Sequence, residues 1–167
     1  MKQVFVIRHA EAEDAVEAIH AGRQDRERRL TESGKRDMRK GVAGLAELVE
    51  ELPLVLTSPL TRAVQTAELL QAVFPKAELR RHAFLAPGSD PAALLKSIAN
   101  RPGPVALVGH EPDLSQWIGY MCTGTGRSVV RMKKASVCRL DMPDQPIPGE
   151  ACIAWLLTLK QLIKLAP

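Results

Sequence analysis

The feature of this 167-residue sequence that most limits its fold is a set of three short, uninterrupted apolar segments. They are Val4–Ile7, Leu54–Leu56 and Val105–Val108. Each is too short for a helix and lacks the alternation of a strand with one solvated face, so each is expected to form a β-strand covered on both sides. Strands of this kind occur mainly in parallel sheets with helices on both faces. The sequence therefore predicts an α/β fold.

Helical periodicity fills most of the chain between these strands. Apolar residues recur at steps of three and four in four stretches. The stretches lie at positions 38–52, 60–70, 94–98 and 114–121. A weaker strand is expected at Ala77–Arg81, and a short helix near Gln161 is expected to pack on the surface. Strands that alternate with helices favour a layered arrangement around a mainly parallel sheet.

The end of the chain has a different pattern. Apolar and polar residues alternate over Cys138–Met142, a segment rich in turn-forming residues follows, and Ala151–Leu157 reads as a further strand. This pattern predicts an antiparallel hairpin at one edge of the sheet. No linker divides the chain, so we expect a single domain, residues 1–167, built as a three-layer α/β/α sandwich with a mainly parallel mixed sheet.

Chemically active side chains follow all three strong strands. Arg8 and His9 follow the first strand, and His110 follows the third after one glycine. Arg62 lies four residues beyond Ser58, just after the second strand. Ligands of open α/β sheets bind beyond the carboxyl ends of the strands, where neighbouring loops diverge. If these strands are neighbours, two histidines and two arginines converge on one small space.

The segment after the second strand indicates the type of ligand. Ser58 is a good helix N-cap and Pro59 a good first helical residue, so a helix is expected to begin there. Its free N–H groups and the guanidinium fork of Arg62 would then face the same space. Phosphate fits such a site best. The predicted phosphate-binding residues are Arg8, His9, Ser58, Arg62 and His110.

A histidine surrounded by arginines suits nucleophilic attack on phosphorus. A neutral imidazole is a competent nucleophile near pH 7, and adjacent guanidinium groups disfavour its protonated form. Arg8, Arg62 and His110 would stabilise the oxygens of the transferring phosphoryl group. Arginines repel cations, and no carboxylate completes a convincing ligand set, so we expect neither a metal nor another cofactor.

Four segments resemble the histidine phosphatase superfamily, which has the phosphoglycerate mutase-like fold. They span most of the chain in family order and are Val4–Ala10, Leu30–Gly34, Thr57–Ala67 and Val105–Pro112. The resemblance implies a hydrolase with His9 as phosphoacceptor and with Arg8, Arg62 and His110 as its other catalytic residues. The short length and two further segments resemble the small bacterial phosphohistidine phosphatases of the SixA type. Those segments are Lys133–Ala135 and Trp155–Thr158.

The sequence departs from the family pattern at two places. Ala10 replaces the usual glycine after the histidine, and the segment Ala83–Asp90 lacks the glutamate that larger members carry as proton donor. The nearby acids Glu11, Glu13, Asp14 and Asp90 could substitute, and Glu11 and Asp90 are the predicted proton donors. A positioned acid contributes ~10²–10⁴-fold when an alkoxide leaves. Imidazole departs more easily from a phosphoramidate, so the missing acid favours phosphohistidine over alkyl esters.

These observations predict a metal-independent phosphatase that hydrolyses phosphohistidine on a protein through a covalent phospho-His9 intermediate. Only Ala10–Leu30, the segment we call the flap, is long enough to cover the pocket. An open pocket suits a phosphorylated side chain of another protein, and it equally suits a small sugar phosphate, nucleotide or polyphosphate. A non-catalytic module that binds phosphate or phosphohistidine is the alternative of a different class.

Charge and hydropathy disfavour other classes of partner. The formal charge is +4, but the densest basic run, Arg23–Arg29, has no interleaved aromatic residues and is read as a solvated loop rather than a nucleic-acid site. No segment approaches the ~20 apolar residues of a membrane span, and no signal-peptide pattern is present, so a cytoplasmic location is expected. Three cysteines at no metal-like spacing are expected to be buried: Cys122, Cys138 and Cys152. The oligomeric state is left open.

Overall fold

A six-stranded mixed sheet forms the centre of the structure, a computed structural model that covers residues 1–167. The strands are β1 (Lys2–Arg8), β2 (Leu54–Thr57), β3 (Glu78–Arg81), β4 (Val105–Gly109), β5 (Val137–Met142) and β6 (Cys152–Leu157). Their spatial order is β3-β2-β4-β1-β5-β6. The strands β1 to β4 pair with one another in parallel. β5 pairs antiparallel with β1, and β6 pairs antiparallel with β5 at the edge of the sheet.

Six α-helices surround this sheet. They are α1 (Ala15–His20), α2 (Glu32–Ala46), α3 (Thr61–Val73), α4 (Pro91–Ala99), α5 (Asp113–Thr123) and α6 (Leu159–Leu165). Two short 3₁₀ turns lie at Asp25–Glu27 and Ala83–Leu85. None of these helices is long and apolar enough to cross a membrane.

Alternating side chains of the central strands divide the core into two layers. Phe5 and Ile7 of β1 belong to a buried cluster with residues of α2, α3 and α6. Val4 and Val6 face the opposite side and pack with residues of α4 and α5. Both faces of the central strands are therefore covered, which explains their continuous apolar sequence. The predicted three-layer α/β/α sandwich is confirmed.

The predicted strands are confirmed with small changes of their bounds. The weak strand forms as β3, and the terminal hairpin forms as β5 and β6. Two predictions were wrong. The helix expected to begin at Ser58 begins at Thr61, and Cys152 is exposed because it lies on the edge strand β6. Of the other cysteines, Cys138 is buried and Cys122 is partly buried.

Strand register sets the position of the candidate site. Arg8 at the end of β1 pairs with Gly109 at the end of β4, and Thr57 at the end of β2 pairs with Val108. Since β4 lies between β1 and β2, the carboxyl ends of all three strands lie level at one edge. The residues that follow these strands therefore emerge beside one another.

Candidate active site

His9 is held firmly by backbone contacts just beyond β1. Its N–H donates to the carbonyl of Gly109 at 3.1 Å, and its own carbonyl accepts from the N–H of Ala135 at 3.1 Å. The next residue, Ala10, is fully buried and donates its N–H to Oγ1 of Thr66 at 3.0 Å. The methyl group that distinguishes Ala10 from the family's glycine therefore packs into the core.

The ring of His9 has one nitrogen engaged and one free for chemistry. Its Nδ1 lies 2.7 Å from the carbonyl oxygen of Ala10. A carbonyl only accepts hydrogen bonds, so Nδ1 carries the proton and Nε2 keeps its lone pair. The residue is buried, with an exposed fraction of 7%. The nitrogen available for attack on phosphorus is therefore Nε2, a point that the sequence left open.

His110 lies beside His9 and is held by Ser58. The two imidazole centroids are 5.2 Å apart, and the planes are tilted by 51°. Nε2 of His110 is 2.7 Å from Oγ of Ser58, whose side chain is fully buried. Ser58 also accepts the N–H of Leu60 at 3.3 Å. The hydroxyl of Ser58 thus joins the segment before α3 to a histidine 52 residues away, and the N-cap position of α3 is taken by Leu60.

The two predicted arginines reach the site from different elements. Arg8 ends β1 and donates from Nη1 to the carbonyl of Met132 at 2.9 Å. Arg62 lies in the first turn of α3 and is 5% exposed. Its carbonyl accepts the hydroxyl of Thr66 at 2.8 Å, the same hydroxyl that accepts the N–H of Ala10. Thr66 thus couples the start of α3 to the segment that holds the histidine.

The flap supplies two side chains that sequence reasoning missed. Arg62 donates from Nη1 to the carbonyl of Asp25 at 2.8 Å, and its Nη2 lies 3.3 Å from the Asp25 carboxylate. The other carboxylate oxygen of Asp25 accepts from Nε of Arg28 at 2.9 Å. Most of Arg23–Arg29 is exposed, as the reading of a solvated loop predicts, but Asp25 and the partly buried Arg28 also make contacts that lead to Arg62. No periodicity marks them, and only the length of the flap hinted that it could reach the pocket.

The two predicted proton donors, Asp90 and Glu11, make their hydrogen bonds outside the group of predicted catalytic side chains. Asp90 accepts the N–H of Ala92 and caps α4, while Glu11 is exposed and lies near the hydroxyl of Ser33. Neither carboxylate makes a hydrogen bond with His9, Arg62 or His110. The carboxylate that contacts a predicted catalytic side chain is that of Asp25.

Burial and positive charge keep both histidines neutral. Desolvation lowers the pKa of His9 to about 4, against a smaller opposing effect of its bond to Ala10, and the charges of Arg62 and Arg8 lower it further. Desolvation likewise lowers the pKa of His110 to about 3, with added contributions from His9 and Arg62. An imidazole with such a pKa is unprotonated throughout the neutral range.

Unpartnered polar atoms at the site indicate what it binds. Nε of Arg8, Nε of Arg62 and Nδ1 of His110 are buried and have no hydrogen-bond partner within the protein. Buried polar atoms of native proteins nearly always have partners, so three such atoms in one site call for a ligand that accepts hydrogen bonds. A tetrahedral oxyanion beside Nε2 of His9 meets this requirement. The chain has no cluster of three His, Cys, Asp or Glu side chains arranged to hold a metal ion.

Sequence comparison connects this geometry with known proteins. The sequence model of the histidine phosphatase superfamily (branch 1) matches residues 4–86. An uncharacterised protein of Picosynechococcus sp. is 31% identical over 146 residues, and the alignment covers 83% of this chain and 84% of that protein.

Structure comparison gives matches over nearly the whole chain. The protein histidine phosphatase SixA in complex with tungstate has a TM-score of 0.79 at 22% identity, covering 96% of this chain and 99% of that chain. A candidate alpha-ribazole-5′-P phosphatase from Escherichia coli K-12 has a TM-score of 0.74 at 15% identity, covering 95% and 98%. At these identities the two matches establish a shared fold.

Proposed function

This chain belongs to the histidine phosphatase superfamily, and we propose from that premise that it is a phosphatase that transfers a phosphoryl group first to His9 and then to water. The observation that carries the proposal is the state of His9. Its Nδ1 proton is fixed on the carbonyl of Ala10, and its pKa is about 4, so Nε2 presents a lone pair at neutral pH. A nucleophile in this state needs no separate base.

The proposed reaction has two displacements at phosphorus. Nε2 of His9 forms a bond to phosphorus while the bond to the leaving group breaks, and the leaving group departs with its electron pair. Water then attacks phospho-His9, the bond between phosphorus and Nε2 breaks, and inorganic phosphate is released with the remaining proton passing to solvent. Arg8, Arg62 and His110 stabilise the equatorial oxygens in both steps.

We propose phosphohistidine on a protein as the substrate, because the site lacks a ready acid. Burial by itself raises the pKa of Asp25, but the charges and hydrogen bonds of Arg62 and Arg28 outweigh it and bring the pKa below its ordinary value. Asp25 is therefore ionised at neutral pH and has no proton to give. A leaving imidazole that solvent has already protonated needs none, whereas an alkoxide does.

The test combines covalent trapping with a substrate panel. Wild-type enzyme mixed with a phosphohistidine peptide and quenched in base should carry phosphate that is stable to base and labile to acid, and His9→Ala should carry none. An alanine variant of the exposed His20 is the matched control and should retain the label. Turnover should be faster with the phosphohistidine peptide than with a phosphoserine peptide of the same sequence.

The outcomes separate the alternatives. Label retained on His9→Ala would refute the covalent mechanism. Binding of the phosphopeptide without release of phosphate by the wild type, at every pH tested, would favour the non-catalytic module instead.

One observation favours a second candidate, a phosphatase of small molecules. An open groove of about 510 Å³ is lined in part by Glu111, the residue that follows His110. Its lining residues are Glu111, Ser115, Ser128, Val129, Val130 and Arg131. A groove of this size could accept the organic part of a sugar phosphate or nucleotide. Faster turnover of such an ester than of the phosphohistidine peptide would support this candidate and refute the protein substrate.

A further inference from the structure

Arg28 is a third guanidinium at the site, attached to it through a shared carboxylate. Asp25 accepts from Nε of Arg28 with one oxygen at 2.9 Å and from Nη2 of Arg62 with the other at 3.3 Å. One carboxylate thus joins the catalytic Arg62 of α3 to the flap. The side chain of Arg28 is 21% exposed, so most of it is shielded from solvent although it stems from a surface loop.

The hydrogen bonds of Arg28 fix its orientation without using all its donors. Nε is taken by Asp25, and Nη1 donates to the carbonyl of Glu13 at 2.9 Å. Glu13 itself is tied to Arg23 by an ion pair at 2.8 Å, so the support of Arg28 is part of the flap's own structure. Nη2 makes no hydrogen bond within the protein. A guanidinium held at two nitrogens with the third left free is oriented in advance for an anionic ligand.

The charge of Arg28 acts on the catalytic groups directly. It contributes to the lowered pKa of both His9 and His110. Repulsion between the two guanidinium groups also lowers the pKa of Arg62. Two guanidinium groups joined by one carboxylate leave a net positive charge at the pocket. Such an arrangement costs free energy through mutual repulsion, and an anion bound between the groups offsets that cost.

We propose that Arg28 is a further phosphate-binding residue, which donates from Nη2 to a non-bridging oxygen of the bound phosphoryl group, and that Asp25 positions it. This inference rests on the proposed function, since it assigns one more ligand to the same phosphate. It also gives the flap a specific task. The flap adds a third guanidinium group to the two arginines that the strand ends and α3 supply.

The experiment measures the affinity of purified full-length variants for inorganic phosphate and orthovanadate by calorimetry. Loss of one charged hydrogen bond in Arg28→Ala should weaken both affinities about 10- to 100-fold. Arg28→Lys keeps the charge without the fork and should fall between Arg28→Ala and wild type. Arg26→Ala is the matched control, because Arg26 lies in the 3₁₀ turn that directly precedes Arg28, is exposed and forms none of these contacts.

Equal affinities of Arg28→Ala and Arg26→Ala for inorganic phosphate would overturn the inference, since any weakening would then come from the loss of one positive charge and not from a lost contact. A wild type that binds neither anion would overturn the phosphate site itself, and so the two failures are distinguishable.

Asp25 is tested as a positioning residue by a double-variant cycle. Asp25→Asn should weaken phosphate binding more in the wild-type background than in Arg28→Ala, because part of its effect acts through Arg28. An equal effect in both backgrounds would overturn the positioning role.

Discussion

The buried neutral state of His9 should make the stability of the protein fall as the pH falls. Its pKa is about 4 in the folded protein, against an ordinary value of 6.5. Between pH 6.5 and pH 4 the imidazole is therefore mostly protonated in the unfolded chain and mostly neutral in the folded protein. Stability rises with pH wherever the unfolded state binds more protons, so acidification from 6.5 towards 4 must lower the free energy of unfolding.

The size of the effect follows from the two pKa values. At about 1.36 kcal/mol for each pKa unit, the contribution of His9 to the free energy of unfolding should be about 2.5 kcal/mol smaller at pH 4.5 than at pH 7.5. The variant His9→Asn has no titrating group at this position but keeps a donor for the Ala10 carbonyl. On acidification from pH 7.5 to pH 4.5, the free energy of unfolding of the wild type should therefore fall by about 2.5 kcal/mol more than that of His9→Asn.

Urea denaturation of both proteins at pH 7.5 and pH 4.5 measures this difference. Carboxylates that titrate in the same range are common to both proteins and cancel in the comparison. A further pair of measurements at pH 8.5 is the control, since the difference between the proteins should not change from pH 7.5 to pH 8.5. A difference that also stays constant down to pH 4.5 would refute the reasoning, because His9 would then titrate alike in the folded and unfolded states.

Three other predictions concern the site, the core and the chemistry. Ser58→Ala leaves Nε2 of His110 without its partner, a cost of about 1–3 kcal/mol for a buried group. If that cost is expressed in the transition state, kcat/KM for a phosphoramidate should fall about 5- to 150-fold, and an unchanged kcat/KM would contradict the role of the pair. Gly44→Ala places a Cβ against the carbonyl of Leu162, so it should lower the free energy of unfolding, measured by urea denaturation, by about 1–3 kcal/mol. Gly126→Ala is the control, because its Cβ would meet no other atom and should change the free energy of unfolding little. Equal effects of the two substitutions would contradict the packing argument. Turnover should survive prolonged dialysis against EDTA, because arginines rather than a cation stabilise the phosphoryl group, and activity restored only by added metal would refute this.

The sequence predicts the parts of the fold that local pattern determines. Val4–Ile7 and Val105–Val108 read as strands because a strand buried on both faces must be apolar at every position. Their neighbouring positions in the sheet then bring Arg8, His9 and His110 together, which a pattern of strand ends can anticipate. These predictions succeed because each depends on a few adjacent residues and one general rule.

Long-range side-chain contacts account for what the sequence did not predict. Ser58 and Pro59 form a good local signal for a helix start, yet the hydroxyl of Ser58 bonds to a histidine that follows another strand, and α3 begins at Thr61. Asp25 and Arg28 look like any charged loop residues, because their roles depend on how the flap folds back over α3. Ion pairs between distant segments leave no periodic trace in a sequence.

The state of Asp25 links the geometry of the flap to the choice of substrate. A carboxylate close to a phosphoryl site could serve as a general acid, but only if it holds a proton at the working pH. Arg62 and Arg28 bind Asp25 and keep it ionised, so the contact that joins the flap to α3 also prevents this carboxyl group from serving as an acid. In the proposed mechanism the flap therefore adds positive charge around the phosphate, while ionised Asp25 has no proton to give to a departing alkoxide. Under the proposed mechanism, such a site should discriminate by the leaving group. It should favour one that departs with a proton it already carries, as the imidazole of phosphohistidine does.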